Sequence, residues 1–534
     1  MYKYQGFTAP LWSWRGASDA EASLKELIAT GANAVIIDAH LLTSSMTATD
    51  IQYEYPEVKT DLDAAIKLAR KLGLDVWFKP IVIVGSGPDR HQWQLLEPSD
   101  LAKWFASYKA ILNDIAPVLQ ANGVSHFLLT NELHSLTTSS ANTAHWIDLI
   151  SSVRTKFSGK LGFNCGALLH PFETGNEMLK VPQAVFDQLD FIGLSSYPRV
   201  AKGVITVDSV EQGWLKSAFD QNLFEILSQF VSNQSLPIYF TELGSPAYAG
   251  GNWQYGTNFT EDLISQANFY TGTLPLLTKY FANEINGVFV YNWLFNERPD
   301  SMQNIGVSSP YDWNVNEKPA EIAITQQFSK PTQIGTVDIH ALPFSQNISG
   351  TPGVDRVVFP ENFELAVVQH APSSTSVRLP GKAYSLQNVE RIQFQDKSLA
   401  LDLAAAAGKA YRVYKAAFNR DPSNGDAKGL GYWIGQIDKG MDLIEVSARF
   451  VDSKEFRDLY GTNPTNAQFL TKLYQNVLGR DPEATGYNWW LNELNTNPSK
   501  TKAKALADFA ESGENQAGVA SLIGSGITYE PWVN

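Results

Sequence analysis

The chain has a single cysteine, Cys165, so it forms no intramolecular disulfide and carries no cysteine-based metal or redox motif. It also lacks excess positive charge: 41 Lys and Arg stand against 55 Asp and Glu, for a net charge of −14. Nucleic-acid binding needs a cationic surface that displaces counterions from phosphates. No Lys/Arg-rich run is present, which argues against nucleic acid and against an anionic membrane surface as partners. No run of 18 or more apolar residues occurs, so no membrane span is expected. No His-Glu-x-x-His or paired-His spacing points to a metal, and no Gly-rich phosphate fingerprint follows the first strand candidate. The opening residues, Met1-Tyr-Lys-Tyr-Gln-Gly6, lack the apolar stretch of a secretory signal. That leaves a cytoplasmic protein, a chain whose leader has been removed, or export by a route that reads another signal.

Enough apolar material is present for a sizeable core. The 534 residues are 44% hydrophobic and include 14 Trp, 21 Tyr and 28 Phe, a length that suits two or three domains. Over the first 330 residues, short runs rich in β-branched and aromatic residues alternate with longer segments of helical period. The strand candidates are 5–12, 33–42, 74–84, 125–133, 159–166, 190–197, 237–245 and 286–295. Each is followed by a helical pattern. The first helix is expected to open with Ser18-Asp-Ala-Glu21 as a capping box. The third is expected to carry the apolar stripe from Leu101 to Ile115 and to kink or end at Pro117. Eight strand–helix units with nearly continuous apolar strands match an α/β fold, the (β/α)8 or TIM barrel. A doubly wound open sheet is the structural alternative.

The pattern changes after the barrel. Residues 331–402 read as a β-rich linking segment, with strands near Val354–Phe359 and Phe363–Gln369, and residues 403–534 as a helical module. The module repeats: Tyr414…Asn419-Arg-Asp-Pro422…Gly429-Leu-Gly-Tyr-Trp433 recurs as Tyr474…Gly479-Arg-Asp-Pro482…Gly486-Tyr-Asn-Trp-Trp490. Two packed copies of one helical unit are expected, with the arginines bridging between copies. Asp421, Asn424 and Asp426 offer oxygens to calcium but miss the regular spacing of a calcium loop, so no metal is assigned.

In such a barrel the functional residues sit at the C-terminal ends of the strands. Strand 4 ends Leu128-Leu-Thr-Asn131-Glu132 and strand 7 ends Ile238-Tyr-Phe-Thr241-Glu242. Burying a carboxylate at a barrel mouth is costly unless it is paired or used. Two facing carboxylates suit double displacement at a sugar carbon, one attacking while the other protonates the leaving oxygen.

Asn131-Glu132 and Glu242 resemble the glycoside hydrolase superfamily whose catalytic residues sit on strands 4 and 7. Within it the chain is most similar to family 113, the β-mannanase family. The matching stretches are Gly31–Val35, Ala69–Pro80, Trp104–Tyr108, Asp190–Tyr197 and Tyr239–Gly244. The resemblance implies Glu132 as acid/base and Glu242 as nucleophile, with no cofactor. It implies that Asn131 binds the substrate 2-hydroxyl, that Tyr197 orients Glu242, and that Trp293 forms the floor under the −1 sugar. The C-terminal repeat resembles a bacterial domain of unknown function with units reading R-D-P-x-x-x-G-x-x-x-W. The segment Leu386–Asp402 resembles a stretch found ahead of that domain in secreted surface proteins. An extracellular or cell-surface location is the expectation that follows, with surface or matrix association through the repeats; a cytoplasmic location stays open.

Further residues lie near the expected mouth. Lys79 can bind a sugar hydroxyl or form a salt bridge to a neighbouring loop. Trp12 and Trp14 can stack on sugar rings, although core packing is the commoner fate of Trp. His40, His91 and His134 read mainly as structural. The expected activity is that of a retaining endo-β-glycosidase on a polysaccharide, with β-1,4-mannan as one substrate. The alternatives are an enzyme acting on the producer's own exopolysaccharide and a non-catalytic carbohydrate-binding protein on a degenerate barrel.

Overall fold

The computed structural model describes residues 2–14, 16–85, 92–168, 176–218, 220–247, 262–295, 313–316, 318–329, 337–350, 353–371 and 374–531. The chain divides into two compact units, Met1–Thr332 and Gln333–Asn534.

The first unit is a closed eight-stranded parallel barrel. Its strands are β1 (Tyr4–Pro10), β2 (Ala34–Thr43), β3 (Asp75–Val84), β4 (His126–Leu128), β5 (Lys160–Ala167), β6 (Phe191–Ser196), β7 (Ile238–Leu243) and β8 (Ile285–Tyr291). They pair in ring order, and β1 pairs with both β2 and β8, which closes the sheet. A two-residue strand, Gln52–Tyr53, pairs antiparallel with β2. Alternate strand residues point inward. Ala34, Ile36, Trp77, Leu128, Phe191, Tyr239 and Phe289 fill the interior, with Tyr4 against them. His126 stacks on Trp77 at 3.8 Å, and burial holds its imidazole down to about 3, so it packs as a neutral ring. Gly193 leaves the room that this filling requires, because a Cβ there would lie 2.6 Å from Thr241 Oγ1 and 2.9 Å from Leu128. The aromatic plug fills the lower barrel, so polar groups gather at the carboxyl ends of the strands.

The helices depart from expectation in three places. Helix α1 (Ala17–Ala29) starts one residue before Ser18, with Gly16 as its N-cap and no side-chain cap. The Ser18–Glu21 capping box therefore does not form, and Glu21 pairs with Lys25 at 2.8 Å instead. After α2 (Val58–Lys71), helix α3 (Leu101–Ala121) runs four residues past Pro117. The proline ring denies the Asn113 carbonyl its usual partner, and Lys156 Nζ reaches that oxygen at 3.3 Å. Between β5 and β6 the described helix is a single turn, Gln183–Phe186.

The second unit holds two sheets and eight helices among its described residues. A five-stranded sheet ends with Ser398–Ala400 beside the C-terminal strand Ile527–Tyr529, which returns after the helices to pair antiparallel with it. Arg391 ties sheet to helix through a contact with Asp402 and a 3.2 Å contact with Asp438. Strand pairing in the expected Phe363–Gln369 run begins only at Val367, after a 3-10 turn at Phe363–Leu365.

The repeat is visible in geometry. Helices Ala406–Phe418 and Asn466–Leu478 both end in a left-handed residue, Asn419 (φ 54°) and Gly479 (φ 62°), the conformation that stops a helix at little steric cost to Gly or Asn. Trp433 packs on Phe450 and Trp490 on Phe509, each at 5.3 Å and 52°. Arg420 grips Glu455 at 2.7 and 2.9 Å and covers the Tyr414 ring, while Arg480 reaches Glu514 at 3.3 Å and covers Tyr474. Each arginine thus closes its own copy and does not bridge the two. Asp426 accepts from Tyr414, Arg420 and the Gly429 N–H, at 2.9, 3.0 and 3.2 Å.

Candidate active site

The two strand-end carboxylates are both buried: Glu132 is 2% and Glu242 3% exposed. Strand β4 leaves the ladder at Leu128, not at 133 as its apolar run suggests. From there Thr130 exchanges hydrogen bonds with the Asn164 backbone at 3.1 and 3.3 Å. The Glu132 N–H then donates to the Asn164 carbonyl at 2.9 Å, with Glu132 itself at φ 51°. A non-glycine residue in the left-handed region is uncommon and is kept only where its surroundings hold it. Here Gln94 holds the side chain, donating from Nε2 to Glu132 Oε2 at 2.9 Å.

The residues preceding the two carboxylates are joined through one side chain. Asn164 on β5 donates from Nδ2 to Asn131 Oδ1 at 2.5 Å and accepts from Thr241 Oγ1 at 2.6 Å. The end of β4 is thereby clamped to the end of β7 across the mouth. Asn131 spends its carbonyl on this clamp.

Glu242 is held at both oxygens. Lys79 Nζ contacts Oε1, while Ser195 Oγ at 2.7 Å and the Tyr197 hydroxyl contact Oε2. Lys79 is fully buried, and that burial pulls its ammonium down to about 8. Asp38 and Glu132 act in the opposite direction, as does contact with the Glu242 carboxylate. Burial also pushes the Tyr197 phenol well up, which keeps it a proton donor. The Tyr197 ring lies 4.7 Å from Trp313 and 5.8 Å from Tyr291. Gly244 makes this possible, since a Cβ there would meet the Tyr197 ring at 2.6 Å and Trp313 at 3.2 Å.

Of the expected site residues, Glu132, Asn131, Glu242, Tyr197 and Lys79 converge on one mouth. Lys79 pairs with a strand-end carboxylate and not with a loop. Trp293 is a correction. It is fully buried, packs on Phe7 at 4.9 Å, and donates from Nε1 to Ser23 of α1 at 2.9 Å. It therefore lies in the wall between strand and helix, not under a sugar; Tyr291 and Trp313 are the rings beside Tyr197. Trp14 is 7% exposed and packs edge-on against Phe295, a core contact, whereas Trp12 is half-buried. His40 bonds Glu54 at 3.1 Å. His134 sits at the start of the helical turn His134–Thr137, and His91 lies outside the described residues.

Sequence reasoning missed three groups. Asp38 on β2 and Gln94 both face this mouth. Glu177, in the turn after β5, receives Thr137 Oγ1 at 2.5 Å and the Gly166 N–H at 2.8 Å. Burial pushes its carboxyl up to about 8; the two hydrogen bonds oppose the shift and the charge of Glu132 adds to it. Among the described residues no cluster of three or more His, Cys, Asp or Glu could hold a metal ion, and no helix is long and apolar enough to cross a membrane.

A closed (β/α)8 barrel with clamped, buried carboxylates at the ends of strands 4 and 7 has the architecture of a glycoside hydrolase, the class to which this chain belongs. The assignment narrows on comparison with known families. Residues 5–320 match Glycoside Hydrolase Family 113, and the chain is a member of that family. Residues 447–519 match a domain of unknown function, DUF4214. Among solved structures the chain is similar to a GH113 β-1,4-mannanase, at 19% identity over 62% of this chain and 100% of that one, TM-score 0.49. It is also similar to the GH113 β-mannanase of Alicyclobacillus acidocaldarius, at 22% identity over 62% and 98%, TM-score 0.48. The endo-1,4-β-D-mannanase of Thermotoga petrophila follows at 11% identity over 61% and 99%, TM-score 0.42. None of the curated proteins compared matches the chain.

Proposed function

We propose that the chain is a retaining endo-β-glycosidase acting on a neutral β-linked polysaccharide, with β-1,4-mannan as the first candidate substrate. The observation that carries this reading is the triple grip on Glu242 by Lys79, Ser195 and Tyr197. Three donors on one buried carboxylate favour its ionised form and fix its position, as a nucleophile requires. Glu132, clamped to the same mouth through Asn131, Asn164 and Thr241, is the acid/base.

In the first step a Glu242 oxygen attacks the anomeric carbon, and the bond to the leaving oxygen breaks as Glu132 gives that oxygen its proton. In the second step Glu132 takes a proton from water, the water oxygen bonds to the anomeric carbon, and Glu242 departs. Asn131 has its carbonyl engaged by Asn164 and keeps its amide hydrogens for a sugar hydroxyl. Tyr291 and Trp313 supply aromatic faces beside the nucleophile. A mannan substrate is supported by membership of Family 113. An extracellular or cell-surface location, with the repeat module mediating surface association, is the companion proposal; its support is the resemblance of Leu386–Asp402 and the repeats to secreted proteins.

The test is a reducing-sugar assay on β-1,4-mannan and glucomannan with the wild type, Glu132→Gln and Glu242→Gln. The wild type is expected to release reducing ends. Loss of the general acid removes about 10²- to 10⁴-fold of rate, and loss of the nucleophile takes turnover below detection. Turnover that survives in both variants overturns the assignment.

A further inference from the structure

One carboxylate at the mouth has no place in this scheme. On β2, Ala34 and Ile36 face the barrel interior, and period-two alternation puts Asp38 on the same face one layer higher. It is fully buried. Both of its oxygens are buried, and among the described residues neither has a hydrogen-bond partner. Its register neighbour on β3 is Lys79 and on β1 Pro10. Among the described residues the surrounding titratable groups are Lys79, whose ammonium goes to Glu242, His40, which is engaged by Glu54, and Tyr291 on β8. Desolvation pushes the Asp38 carboxyl up, with Lys79 and His40 opposing.

Buried polar groups are almost always hydrogen-bonded, and each exception calls for an explanation. A structural aspartate would take the lysine beside it. Here that lysine contacts Glu242, which uses one of its three N–H donors. Asp38 therefore presents two acceptors, and Lys79 presents spare donors, within one layer of the mouth. A sugar hydroxyl both donates and accepts, so one hydroxyl can donate to Asp38 and accept from Lys79.

We propose that Asp38, together with Lys79, binds a hydroxyl of the sugar seated against Glu242, and so selects a neutral, unsubstituted sugar there over a uronic acid. This rests on the glycosidase reading and deepens it. A uronate brings like charge to Asp38, and a hydroxyl capped by an acyl group or a branch has lost its donor.

The experiment measures binding by calorimetry in the slow Glu132→Gln background, with and without Asp38→Asn, using β-1,4-mannohexaose and a β-1,4-linked oligomannuronate of the same length. Melting temperatures of all variants accompany it. The expected result is a rise in Kd of about 10- to 150-fold for the neutral ligand, what a hydrogen bond to a charged group is worth. The preference for neutral over uronic ligand should shrink, and the melting temperature should hold or rise. A Kd unchanged within about twofold, with a lower melting temperature, would make Asp38 a structural counter-ion of Lys79 and overturn the inference. Failure of the underlying reading looks different: the wild type turns over no neutral polysaccharide, or Glu132→Gln and Glu242→Gln leave turnover intact.

Discussion

Lys79→Met tests the grip on Glu242 most directly. Lys79 is fully buried and Glu242 nearly so, so solvent screens their contact little. Methionine has a similar volume and fills the space, which limits cavity and strain costs to below about 1.5 kcal/mol. What Glu242 loses is one charge-assisted contact; Ser195 Oγ at 2.7 Å and the Tyr197 hydroxyl remain. A hydrogen bond to a charged group contributes about 1.5–3 kcal/mol. At about 1.36 kcal/mol per decade, kcat/KM should fall about 10- to 150-fold. The pH profile adds a sharper test. The wild-type ammonium loses its proton near pH 8, so Glu242 loses its cation there and kcat/KM should decline above that pH. Lys79→Met has nothing to titrate; it should lie on the low plateau throughout and lack that alkaline limb. The assay is initial rates on a mannooligosaccharide from pH 5 to pH 10, with melting temperatures as a folding control. An alkaline limb near pH 8 that persists in Lys79→Met, or a rate within about twofold of wild type, would refute the reasoning.

Trp293→Phe should cost about 1–3 kcal/mol of stability, through the lost Nε1 contact with Ser23 and the smaller ring, with kcat/KM on mannooligosaccharide unchanged; urea unfolding and steady-state kinetics check both halves, and a rise in KM would return Trp293 to the sugar. Glu177 gives stability a signed pH dependence. Its folded carboxyl titrates at about 8 against 4.5 for an ordinary one, so between those values the unfolded chain releases a proton that the folded chain keeps, and stability falls as pH rises through the window. Calorimetric melting at pH 5 and pH 8 should show a larger drop for wild type than for Glu177→Gln; equal drops would sink the assignment.

The barrel was legible because its physics is repetitive. A parallel sheet covered on both faces demands near-continuous apolar strands, and all eight stand out. Strand ends were harder to place, since Leu128-Leu-Thr-Asn131 has the composition of a strand while its backbone turns out of the ladder to bond Asn164. Trp293 was set on the wrong side for a related reason. Past Tyr291 the strand has ended, so alternation no longer predicts facing, and a one-residue shift reverses a side chain. Pro117 misled because the lysine that rescues the Asn113 carbonyl sits 43 residues away in sequence. Gln94 and Glu177 lie in turns without periodicity and left no signal. Asp38 did leave one: a single carboxylate inside the run Val35-Ile-Ile-Asp-Ala39, a residue type that packing alone would not choose.

These placements have an electrostatic consequence. Among the described residues, Asp38, Glu132, Glu177 and Glu242 gather at the mouth with the ammonium of Lys79. Ionising all four carboxyls in a water-poor site would be costly. Burial pushes the Glu177 and Asp38 carboxyls up, and in the proposed cycle Glu132 carries a proton into the reaction. The negative charge of Glu242, held by its three donors, then stands beside the sugar. A neutral ground-state sugar gains little from it, whereas positive charge developing at the anomeric carbon gains a great deal, and only such differential stabilisation speeds the chemical step. On this reasoning Lys79 and the neutral Glu177 serve one end: they moderate the field of a carboxylate-rich mouth while leaving negative charge where the transition state develops positive charge.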